Sequence, residues 1–129
     1  MKEKRLPKII EKVGFDFSWN EKKVWKLNYP FEEININKLE WHFKIPFWNT
    51  KNGFYDLSPL EVINNSQKFS EEYKRTMKSD LRHPIDIMEN KGKWLILDGL
   101  HRLVKAKILG HTNVKVRKIP CSEIPNILE

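Results

Sequence analysis

The sequence predicts an α+β fold: a single compact domain in which a small mixed sheet is packed by about three helices. Three observations carry this. The chain has 129 residues, the usual size of one domain and too few for two independent cores. Hydrophobic residues make up 40% and aromatics 12%, enough to fill a core. Apolar runs with strand character alternate along the chain with segments of helical period. No repeat or low-complexity tract interrupts them.

The first third is dense in rings, with Phe15, Phe17, Trp19, Trp25, Tyr29, Phe31, Trp41, Phe43, Phe47 and Trp48 following no clean period. Residues 1–32 read as an irregular aromatic layer belonging to the same domain as 33–129, with a short strand at Glu33–Ile36. Rings interleaved with lysines can stack bases, but rings this dense more often supply buried area, and core packing is the preferred reading. Ser58-Pro59-Leu60-Glu61 is a helix start with a capping box and proline in the first turn. Ser70-Glu71-Glu72 opens a second helix, with Tyr73, Met77 and Leu81 at i, i+4, i+8 and an end at Pro84. Ile85–Met88 and Lys93–Leu97, joined by Glu89-Asn90-Lys91-Gly92, predict a hairpin. A third helix follows over Leu100–Leu109, with Gly110 as its C′ residue. Asn113–Ile119 reads as a half-exposed strand ended by Pro120, and a short tail packs through Ile124, Ile127 and Leu128.

Composition also narrows function. No apolar run approaches the roughly 20 residues of a membrane helix, and no apolar stretch follows the basic start Met1–Arg5, so a cytoplasmic protein without a signal peptide is expected. Cys121 is the only cysteine, which removes internal disulfides and cysteine zinc sites. No two histidines have metal-ligand spacing: His42 suits a core edge, and His83 and His111 suit structural or exposed places. The net charge of +7 attracts phosphates, nucleic acid or acidic partners, but the basic residues are spread along the chain.

Chemistry concentrates at Asp98-Gly99-Leu100-His101-Arg102, where a buried strand meets a helix with no intervening loop. Gly99 permits a tight turn and the close approach of a ligand. The helix start offers unpaired N–H groups and the positive end of its dipole, a natural anion site. His101, Arg102 and Lys105 add an imidazole, a guanidinium and an ammonium on the first turns, while Leu100, Val104 and Ile108 face the core. Asp98 is placed to hold a metal ion or orient a hydroxyl. The plainer alternative is an aspartate cap followed by a solvated basic face.

The run His83-Pro84-Ile85-Asp86-Ile87, then Trp94-Leu95-Ile96-Leu97-Asp98-Gly99-Leu100-His101-Arg102, then Ala106, Gly110 and Val114–Val116, resembles the ParB/sulfiredoxin superfamily. The likeness extends over roughly residues 33 to 119, with Glu33–Leu39 as the first strand. It implies a nucleotide (ATP, ADP or CTP) with Mg2+, held by Asp98, Gly99, Leu100, His101 and Arg102, to which the helix face adds Lys105. It also implies a phosphotransferase or nucleotidase acting on a small-molecule acceptor, with Glu40, Asp98 and His101 catalytic and Glu40 as base. Sulfiredoxins carry a cysteine where Leu100 stands, which excludes their chemistry. The partition proteins' helix-turn-helix domain has no counterpart in this sequence, which sets centromere loading aside. The alternative is a non-catalytic nucleotide-sensing or nucleic-acid-binding module. A nuclease ranks last, for want of a carboxylate cluster able to hold two metals.

Overall fold

A computed structural model describes residues 7–129; the basic start Met1–Arg5 lies outside them. Four strands form one mixed sheet. Its strands are β1 (Phe31–Asn35), β2 (Ile85–Asn90), β3 (Lys93–Asp98) and β4 (Asn113–Lys118). Their order across the sheet is β1-β4-β2-β3: β1 is antiparallel to β4, β4 parallel to β2, and β2 antiparallel to β3. The β2–β3 loop is the predicted hairpin turn, with positive φ at both Lys91 and Gly92 as the short primed loops require. β1 begins two residues before the expected strand, and Ile36 starts a 3-10 turn, Ile36–Lys38, instead.

Six helices surround the sheet among the described residues. The three expected from the sequence are α3 (Pro59–Asn64), α4 (Ser70–Lys78) and α5 (Leu100–Ile108), and the Ser58–Glu61 capping box is formed at the start of α3. The others, α1 (Lys8–Lys12), α2 (Glu21–Trp25) and α6 (Ile124–Ile127), have no more than five residues each. Helix α4 corrects one expectation. It stops at Lys78 rather than running to Pro84, because Ser79 turns to extended backbone and its hydroxyl donates to the Thr76 carbonyl (2.6 Å).

Alternation along the strands divides the core. Ile85 and Ile87 of β2, Val114 and Val116 of β4 and Ile96 of β3 pack against Leu103, Val104 and Ala106 of α5. Met88 and Leu97 meet Val24 of α2, Ile119 and Ile127 of α6 on another core layer. Burying an aliphatic side chain of this kind contributes about 1.5–3 kcal/mol. Phe15, Trp19, Phe47 and their neighbours cover β3 at the sheet edge, so much of the aromatic layer is core, although Trp25 and Phe31 stay exposed. Trp19 donates its indole N–H to the Leu97 carbonyl (2.9 Å), and the Ile96 amide donates to His42 Nε2 (3.1 Å). These bonds satisfy polar groups of an edge strand that has no further strand beside it. No helix among the described residues is long and apolar enough to cross a membrane.

Candidate functional site

The turn between β3 and α5 is shaped by Gly99. Its φ of 116° lies where L side chains rarely sit, and a Cβ there would stand 3.1 Å from Ile85 Cγ1 and 3.2 Å from Arg102 Cζ. The guanidinium therefore lies over the glycine. The Gly99 carbonyl accepts the first helical bond, from the Leu103 amide (3.0 Å). No side chain caps α5, so Asp98 does not act as the cap considered above, and the helix start keeps its polar amides and positive dipole end.

Asp98 faces charge instead. Its Oδ2 accepts from Arg102 (2.8 Å) and from the Trp25 indole N–H (2.7 Å). Arg102 also donates to the Pro84 carbonyl (2.6 Å), which fastens the entry to β2. A β-bulge shifts the β2–β3 register so that Asp86 lies opposite Asp98. Asp86 is 3% exposed and accepts from Arg117 Nε (2.6 Å). Burial pushes its carboxyl above the usual range, against the pull of Arg117. Arg117 donates further to the carbonyls of Leu27 (2.6 Å) and Val24 (3.1 Å), which ties the end of α2 to the sheet.

His101 points a different way. Its ring stacks on Trp48 with centroids 4.5 Å apart, and Nε2 lies 2.9 Å from Glu72 Oε2. Glu72 also accepts from Arg75 (3.1 Å). Two clefts meet at this turn. The first, about 800 Å³, is walled by the end of α4, the turn, Trp25 and Arg117. Arg75, Arg102 and Arg117 line it against Asp80, Asp86 and Asp98, with His83 and His101 beside them. The second, about 680 Å³, lies on the side of the aromatic layer and shares Asp98, Gly99, Leu100 and His101 with the first.

The structure thus brings Asp98, Gly99, Leu100, His101 and Arg102 together at the first cleft, and all but Arg102 also line the second. It does not bring Lys105 or Glu40 to them. Lys105 donates to the Ser79 carbonyl (2.8 Å) beyond the last turn of α4. Glu40 pairs with Lys107 (2.7 Å), farther along α5, and lines neither cleft. His42 is a core residue. Its Nδ1–H donates to the Leu39 carbonyl (2.7 Å), Nε2 accepts from Ile96, and burial lowers its pKa to about 3. His83 stands exposed at the rim of the first cleft, 3.9 Å from Asp80, whose own pKa is pulled down by Arg82.

Sequence reasoning passed over Trp25, Glu72, Asp86 and Arg117 as site residues. A charge inside the apolar run Ile85-Asp86-Ile87 was the one local signal among them, because a buried carboxylate needs a partner. Among the described residues, no group of three or more histidine, cysteine or carboxylate side chains is placed to hold a metal ion. Compared with family models, curated proteins and solved structures, the chain matches none.

Proposed function

We propose that this chain is a ParB/sulfiredoxin-like protein that binds a nucleotide in the first cleft, its phosphates at the start of α5. The observation that carries the reading is the glycine-led, uncapped start of α5 with the Arg102 guanidinium lying over Gly99, opening on a cleft of about 800 Å³. Arg102 orients the phosphates while anchored to Asp98, Arg75 supplies a second cation at the rim, and the exposed Trp25 ring offers a face for a base. A magnesium ion would ride on the phosphates, with Asp98 as the carboxylate at the turn.

Calorimetry with ATP, ADP, CTP and pyrophosphate, each with and without magnesium, tests this. Binding tighter than about 1 mM by at least one of them is expected. Absence of heat and of thermal stabilisation with all four would refute it.

Phosphoryl transfer to a small acceptor is the second reading, and one observation shapes it: Asp98 lines both clefts, whereas Glu40 is tied to Lys107 and lines neither. The base in this reading is Asp98. Asp98→Asn is expected to abolish turnover by roughly a hundredfold or more while Glu40→Gln leaves it intact. The reverse pattern would return the role to Glu40.

A further inference from the structure

The second cleft differs in chemistry from the first. The chain carries a net charge of +7, yet Glu21, Asp98 and Glu129 line this cleft and, among the described residues, no lysine or arginine does. Its walls are rings: Phe15, Phe17, Trp19, Phe47, Trp48 and Tyr55. These rings brace one another. Phe15 lies 5.7 Å from Trp19 and 5.3 Å from Phe47, and Phe17 lies 5.5 Å from Trp19. Trp19 is further fixed by its bond to the Leu97 carbonyl. The cleft is therefore preformed, which lowers the ordering cost of binding.

Glu21 brings the charge. No ion pair reaches it among the described residues, and partial burial together with the neighbouring Asp98 raises its pKa against the pull of Arg102. Its anionic form is thus held at a cost that a cationic occupant would relieve. Of the two histidines on the wall, His42 stays neutral in the core, and His101 faces Glu72. Phosphate is disfavoured here by Glu21 and Glu129, which do not line the first cleft. A bare metal ion lacks the clustered ligands it needs among the described residues.

We propose that this second cleft binds an organic cation, an amine or quaternary ammonium with an apolar body, between its aromatic walls and Glu21. The ring faces attract the cation through their quadrupoles, and the carboxylate supplies the counter-charge. The site stands apart from the phosphate reading, so it is tested without nucleotide. The full chain is titrated with choline and with benzyltrimethylammonium, followed by calorimetry and tryptophan fluorescence at matched ionic strength. Choline's uncharged carbon isostere is the control.

Binding of a cation with Kd below about 1 mM is expected, with the isostere at least about tenfold weaker. Glu21→Gln should weaken cation binding about tenfold with the far-UV spectrum unchanged. Phe17→Leu, which keeps apolar bulk and removes a ring, should weaken it severalfold. Equal affinity for the isostere, no effect of Glu21→Gln, or no cation binding below about 10 mM would each overturn the proposal. A failure of nucleotide binding leaves this result untouched, and the converse holds.

Discussion

His42 should make the stability of this protein depend on pH through one buried ring. Its folded pKa is lowered from 6.5 to about 3 by burial, so the folded chain refuses a proton that the unfolded chain accepts. The sign follows. The contribution is fully present above the unfolded value near 6.5 and is lost as pH falls from there toward 3. Each unit in that window costs about 1.4 kcal/mol, so acidification from about pH 7.5 to about pH 5 removes about 2 kcal/mol. That is a large share of a small domain's 5–15 kcal/mol, taken as a rough general range. The control is His42→Gln, whose side-chain oxygen can go on accepting from the Ile96 amide but does not titrate. Urea unfolding of both proteins, followed by tryptophan fluorescence at several pH values, isolates the effect because the other histidines are common to both. The variant starts less stable, having lost the donor to Leu39 and the ring stacked on Trp41, but its stability falls about 2 kcal/mol less between the two pH values. Parallel loss in the two proteins would refute the reasoning.

Three further outcomes are expected. Gly99→Ala should cost about 1–3 kcal/mol in urea unfolding, from a strained φ and a Cβ that pushes on Ile85 and Arg102; a cost under about 0.5 kcal/mol would mean the turn relaxes freely. Arg117→Met should cost about 3–5 kcal/mol by leaving the buried Asp86 unpaired, and a neutral effect by thermal melting would show that Asp86 takes a proton at little cost. Glu40→Gln removes a partly exposed pair with Lys107 and should change stability by no more than about 1 kcal/mol and nucleotide affinity not at all; calorimetry that shows lost binding would move Glu40 into the site.

What was legible in the sequence was what local chemistry decides. The Ser58–Glu61 capping box, the Lys91-Gly92 loop and the glycine before Leu100 each act over a few residues, and each stands in the structure as read. The end of α4 was not legible, because Pro84 marks only the latest point at which the helix must stop. The earlier stop at Lys78 is supported from Lys105, which reaches the Ser79 carbonyl across 26 positions of sequence. The density of rings announced burial, but not that Trp19 and His42 would serve the polar edge of β3. The turn at Asp98–Arg102 could be found from its residues. Its counter-charges could not: Asp86 meets Asp98 through a bulge, and Arg117 meets Asp86 through the parallel β2–β4 pairing, neither of which leaves a local trace. Glu40 illustrates the same limit, since a carboxylate after the first strand has no visible partner until α5 brings Lys107 to it.

Helix α2 shows how the two clefts are joined. Glu21 and Trp25 are four apart, one turn of helix, yet Glu21 lines the aromatic cleft and Trp25 the arginine-lined one. The helix thus straddles the turn, with Trp25 bonded to Asp98 and Glu21 feeling the charge of the same carboxylate. Five residues are too few for a helix to hold its place unaided. Arg117 holds it, through the carbonyls of Val24 and Leu27, while Asp86 holds Arg117. One buried ion pair therefore sets the position of the wall common to both clefts. Any change that neutralises Asp86 or shortens Arg117 should loosen α2 and alter both sites together, whereas a change at Glu21 alone leaves the Arg117 anchor of α2 in place.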